Sequence, residues 1–112
     1  MKLWIDDVRP EPITSPIPDD MEWVVCKSVN QAKDVIKRSE KLAKWDKAFV
    51  IEFLDVDHDA GDYASDGGDY IRLLDWLEET GRNYPIRIHS QNPVGVENMR
   101  RIIERNGWKE IG

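Results

Sequence analysis

Little in this sequence supports covalent cross-linking, membrane insertion or broad binding to polyanions. Cys26 is the only cysteine in 112 residues, which excludes an internal disulfide and any multi-cysteine zinc site. It closes the strand-like run Trp23-Val24-Val25-Cys26 and reads as a small buried apolar residue. No apolar run is long enough to span a bilayer. Met1 to Ile5 meets Asp6-Asp7 at once, leaving no apolar stretch for a secretion signal. A cytoplasmic location is the expectation. The formal net charge is −6, the opposite of what non-specific nucleic-acid binding depends on, so no extended nucleic-acid surface is expected. A single nucleotide or an RNA end held in a pocket stays compatible, with a metal offsetting the local carboxylates. Repeats and low-complexity tracts are missing too, and the length suits one domain over residues 1–112.

What is present alternates strands with helices. Lys2 to Ile5 is a short buried strand, followed by a segment from Arg9 to Asp20 that holds Pro10, Pro12, Pro16 and Pro18. Prolines at that density forbid a regular helix and predict an extended surface loop. Glu22 to Cys26 is the second strand. Ser28 and Gln31 fit a capping box, and apolar residues at helical spacing then predict a helix to about Lys44. Ala48 to Leu54, broken only by Glu52, suits a central parallel strand.

After an acidic loop, Asp55 to Gly68, comes a helix with Tyr70, Ile71, Leu74 and Leu77 on one face, stopping at Gly81. Pro85 to His89 is a further strand. Asn92 caps the next helix with Pro93 at its first position, and Gly107 ends it. Trp108 to Ile111 is read as a last short edge strand. The fold class is therefore α/β, a flavodoxin-like, mostly parallel sheet of four to five strands with helices on both faces. The first helix is replaced by the proline-rich loop. Trp45 and Trp108 fall outside the helical stripes; packing beneath loops is the preferred expectation for both, with a contact surface as the alternative.

In such a sheet the functional crevice lies outside the carboxyl ends of the strands. Three strand ends carry chemistry: Asp6-Asp7-Val8-Arg9, Asp55-Val56-Asp57-His58-Asp59 and His89-Ser90-Gln91-Asn92. Asp6, Asp7 and Asp57 offer hard oxygen ligands of the kind Mg²⁺ or Mn²⁺ prefers. Ser90, Asn92 with the backbone N–H groups that follow it, and Arg9 are candidates to hold phosphate oxygens. His58 and His89, the only histidines, are candidates for proton transfer. Asp59 is a candidate to orient one of them. Taken singly, each feature has a bland structural reading; their convergence in one crevice argues for a site.

Two other motifs fail. Asp55 to Asp66 begins like an EF-hand loop, but the glycine comes one place late, as Gly61, and the twelfth position is Asp66 rather than Glu. Neither histidine is followed by the spacing of the two-histidine phosphoesterases.

Ile5-Asp6-Asp7, Asp57 and Ser90 resemble the acid pair, acceptor aspartate and hydroxyl of response-regulator receiver domains. The receiver lysine has no good counterpart, Lys109 fitting poorly. A closer resemblance is to the receiver-like family named for cyclic-phosphate processing. Trp4 to Pro10, Asp57 to Gly61 and Ile88 to Gly95 resemble its three motifs, and Glu97 to Arg100 fits its last helix. The resemblance implies processing of cyclic phosphates, such as the 2′,3′-cyclic ends left by RNA cleavage, alongside RNA-repair enzymes. The working expectation is a metal-dependent phosphoesterase acting on cyclic or terminal phosphates. A signalling receiver phosphorylated on Asp57 and a non-catalytic binding module are the alternatives.

Overall fold

The computed structural model describes residues 1–7 and 23–112. The proline-rich segment, with Arg9 and its expected extended loop, lies outside the described residues.

Four parallel strands form one sheet: β1 (Lys2–Ile5), β2 (Trp23–Cys26), β3 (Phe53–Val56) and β4 (Ile86–Ile88), in the order β2-β1-β3-β4. Ile5 stands opposite both Cys26 and Val56, so three strands end level with one another. Three helices follow the later strands: α1 (Val29–Leu42), α2 (Ile71–Glu79) and α3 (Pro93–Asn106). This is the flavodoxin-like order, with the receiver-like α/β architecture expected from the sequence.

Strand alternation sorts the side chains onto two faces. Leu3, Ile5, Leu54, Val56 and Ile86 are fully buried and share one core with α1 (Val29, Ala32, Ile36), α2 (Leu73, Leu74, Leu77) and α3 (Met99, Ile103). The other face carries Trp4, Trp23 and Phe53 in edge-to-face contacts of 5.9 and 5.7 Å between ring centroids. The sequence pattern places helices on both faces; the described helices all lie on one. Right-handed crossovers explain this. The steps from β2 to β3 and from β3 to β4 run the same way across the sheet, so they put their helices on the same side. Only the step from β1 to β2 runs back, and it falls outside the described residues.

The caps are those the sequence spells. Ser28 Oγ accepts from the Gln31 N–H at 3.0 Å, while Gln31 Oε1 accepts from the Lys27 N–H at 2.7 Å. Asn92 Oδ1 accepts from the Gly95 N–H at 3.0 Å, with Pro93 first in the helix. Gly107 ends α3 at φ +69°, a left-handed conformation that favours glycine.

Three expectations change. The apolar run from Ala48 is not the start of β3. Asp46 Oδ1 accepts from the Ala48 N–H at 2.9 Å and nucleates a 3₁₀ turn over Lys47–Phe49, so the strand starts only at Phe53. The last edge strand reduces to a single parallel bridge, Glu110 beside Ile86. Trp108 is buried as expected, but Trp45 is 89% exposed.

The acidic loop is anchored. Asp66 accepts hydrogen bonds from Ser28 Oγ at 2.6 Å and Asn30 Nδ2 at 3.0 Å, which ties the loop to the start of α1. Gly67 makes that approach possible: a Cβ there would stand 2.8 Å from Val29 Cβ. Among the described residues no helix is long and apolar enough to cross a membrane.

Candidate metal and phosphate site

Asp6, Asp57 and His89 each follow a strand by one residue, and each is still stitched to the sheet. The Asp6 N–H donates to Cys26 O at 3.1 Å, the Asp57 N–H to Ile5 O at 2.9 Å, and the His89 N–H to Val56 O at 2.9 Å. That shared register brings one ligand atom from each residue within 4.8 Å of the other two. Two carboxylates and an imidazole, gathered from sequence positions up to 83 residues apart, are a donor set suited to a divalent cation. They line an open cleft of about 460 Å³, together with Asp59, Ser90 and Asn92.

His89 is held on three sides. Its Nδ1 lies 2.5 Å from Asp55 Oδ1 and its Nε2 lies 3.1 Å from Asp6 Oδ2. Its ring stacks on Trp4 at 4.1 Å between centroids and 11° between planes, a favourable seat for a cationic ring. Burial by itself lowers the pKa of this imidazole, but the Asp55 and Asp6 carboxylates outweigh it, and the net shift is upward. With a carboxylate at each nitrogen, the protonated ring is favoured relative to a free imidazole, and a cation bound beside Asp6 would compete with the proton on Nε2.

Asp57 is shifted upward too. Burial is the main cause and the neighbouring Asp6 charge adds to it, against hydrogen bonds from the His58 N–H and the Ser90 hydroxyl. A group in this position gains from a cation, which cancels the repulsion between the two carboxylates. Below the cleft, Tyr70 is fully buried and its hydroxyl donates to Lys27 O at 2.7 Å. Burial and the surrounding aspartates hold that phenol well above its ordinary range, so it stays neutral.

The remaining candidates separate. Ser90 lines the cleft, hydrogen-bonded to Asp57 and accepting from the Asn92 N–H at 3.1 Å. Asn92 spends its oxygen capping α3, while its amide nitrogen stands 3.4 Å from Asp59 Oδ1. His58 bonds through Nδ1 to Asp59 Oδ1 at 2.7 Å. Its ring does not line the cleft but lies against Gly95, where a Cβ would come within 2.5 Å of it. The Asp7 carboxylate sits against Gly61 rather than joining the group of three. Arg9 lies outside the described residues.

Residues 1–105 match the family of the cyclic-phosphate processing receiver domain. The chain belongs to that family. No curated protein and no solved structure matches this receiver domain.

Sequence reading missed two residues that hold His89 in the receiver domain's cleft without lining it. Asp55 is 2% exposed and stands behind His89 as the acceptor for its second nitrogen. A signal existed: Asp55 shares a strand face with Asp57, and a charge inside a short apolar strand needs a partner. Trp4, which supports the imidazole, carried no comparable signal, because the pairing of β1 with β3 and of β3 with β4 decides what its ring meets.

Proposed function

We propose that this receiver domain is a divalent-metal-dependent phosphoesterase that opens cyclic phosphates or removes terminal ones, with 2′,3′-cyclic RNA ends as the favoured substrate. The observation that carries the reading is the convergence of Asp6, Asp57 and His89, with Asp55 fixing the far side of the imidazole. The donor set fits Mg²⁺ or Mn²⁺. Asp6 and Asp57 would hold the ion, with Asp7 adding negative charge nearby; bound there, it would polarise a phosphoryl oxygen.

The chain's own residues do the rest. Ser90 and the N–H groups at the start of α3 receive the non-bridging oxygens. Opening a cyclic phosphate forms one P–O bond to water and breaks one to a ribose oxygen, which leaves as a hydroxyl and needs a proton. His89, protonated on both nitrogens and backed by Asp55, gives that proton from Nε2. The proton from water passes to Asp59, which lines the cleft, with His58 set back against Gly95 and tied through Nδ1 to that carboxylate as its partner. Arg9 remains a candidate phosphate contact from the sequence.

A second reading makes His89 the third metal ligand, favoured by the 4.8 Å clustering and by the carboxylate behind its other nitrogen. The test is hydrolysis of a panel of cyclic and linear nucleotide phosphates with Mg²⁺ or Mn²⁺ and with chelator. Metal-dependent turnover supports the proposal. Full turnover in chelator, or no hydrolysis but a stable phosphoryl adduct on Asp57 after incubation with a small phosphodonor, overturns it. In His89→Ala, lost turnover with unchanged metal affinity identifies the proton donor; lost affinity identifies the ligand.

A further inference from the structure

The net charge of −6 hides a segregation of charge. Residues 55–69 carry six aspartates and no lysine or arginine, whereas residues 27–47 carry seven lysines and arginines against three acids. The cations concentrate on α1 and the turn after it. Arg38, Lys41 and Lys44 border one groove of about 780 Å³ and have no ion-pair partner among the described residues. The acids beside them are already engaged. Glu40 is held by Arg82 at 2.9 Å and accepts from the Tyr84 hydroxyl, while Asp34 sits 3.8 Å from Lys37.

Trp45 extends this ridge. Lys37 and Lys41 share a face of α1 at four-residue spacing, and Trp45 stands in the turn three residues past the helix end at Leu42, next to Lys44 in the chain. Trp45 is 89% exposed, with Leu42 and Phe49 also partly open. An indole left in water close in the chain to Arg38, Lys41 and Lys44, which have no ion pair among the described residues, is poorly explained by core packing. It matches the two elements of a single-strand nucleic-acid surface: a flat ring for a base and ammonium or guanidinium groups for the backbone.

The placement relative to the cleft is consistent. α1 begins just after its cap Ser28, on the same sheet end as the aspartates, and its 14 residues reach about 20 Å toward the other end. A strand whose terminus lies in the cleft has its preceding nucleotides free to run along this helix.

We propose that the C-terminal part of α1 is a docking site for single-stranded RNA, with a base stacked on Trp45 and phosphates on Arg38, Lys41 and Lys44. That the docked strand is also the substrate rests on the phosphoesterase reading; the docking itself does not.

The experiment separates the two. A fluorescein-labelled oligouridine of ~10 nucleotides with ordinary hydroxyl ends, titrated in EDTA, reports docking without any role for the metal cleft. Anisotropy should rise at low salt, and the logarithm of affinity should fall with that of salt at a slope of about −2 for three phosphates. Trp45→Ala should weaken binding roughly tenfold, as should the double variant Lys41→Glu, Lys44→Glu. Both act on exposed side chains, and hydrolysis of a cyclic mononucleotide by Trp45→Ala should be unchanged. Unaltered affinity in both variants, no binding at low salt, or saturable binding to anionic vesicles or an acidic peptide but not to RNA would overturn the proposal.

Discussion

His89 is fastened to the buried Asp55 by a 2.5 Å contact between Nδ1 and Oδ1. The pair fixes which nitrogen faces the cleft, and it makes the buried carboxylate tolerable by giving it a hydrogen-bonding partner whose protonation the carboxylate favours. Asp55→Asn keeps the shape but removes the charge, and we expect turnover on a cyclic nucleotide to fall about 10- to 100-fold. Asp55→Ala strands the imidazole and should cost ~3 kcal/mol of stability, read from urea unfolding. Wild-type turnover in Asp55→Asn would remove the pair from the mechanism.

The same pair sets a pH dependence. The folded-state pKa of His89 is raised above its ordinary 6.5. Its contribution to stability is therefore complete below that value and is lost as pH rises through the raised folded value. In chelator, the unfolding midpoint of the wild type should decline from mildly acidic to mildly alkaline pH, and His89→Asn should lose most of that slope. An identical slope in the variant would place its origin elsewhere.

Gly95 sits inside the first turn of α3, where alanine is ordinarily better by about 1 kcal/mol. Here a Cβ would come within 2.5 Å of the His58 ring. Gly95→Ala should therefore destabilise the domain, by about 1–3 kcal/mol, as overpacking does. A stabilised variant in urea titration would show that His58 moves aside freely.

Burial pushes the Cys26 thiol up to about 12, so almost no thiolate exists at neutral pH. A disulfide-exchange reagent at pH 8 should leave the native protein unlabelled for as long as it stays folded and modify it within minutes in denaturant. Rapid labelling of the native protein would mean that the C-terminal end of β2 opens.

The parts of this fold legible in the sequence are those written locally. Ser28, Asn92, Pro93 and Gly107 mark helix ends through their own backbone and side-chain chemistry, and the structure follows them. The gathering of Asp6, Asp57 and His89 was also readable, because alternating strands and helices imply a parallel sheet whose tips share a crevice. Apolarity without periodicity misled at Ala48 to Leu54, where one side chain, Asp46, captured the backbone first. Asp55 behind His89 and Trp4 beneath it depend on which strands pair and in what register. No local pattern encodes that. The exposure of Trp45 escaped for a related reason, since hydrophobicity ranks a residue for burial but cannot tell which positions the core has room for.

Each residue of the cleft's triad gives its own amide proton to the final carbonyl of an adjoining strand. We expect these strand-end bonds to hold the three protons until the ladder separates, so that their hydrogen–deuterium exchange follows the free energy of whole-domain unfolding rather than loop fluctuation. Destabilising the domain anywhere, even far from the cleft, should accelerate all three equally.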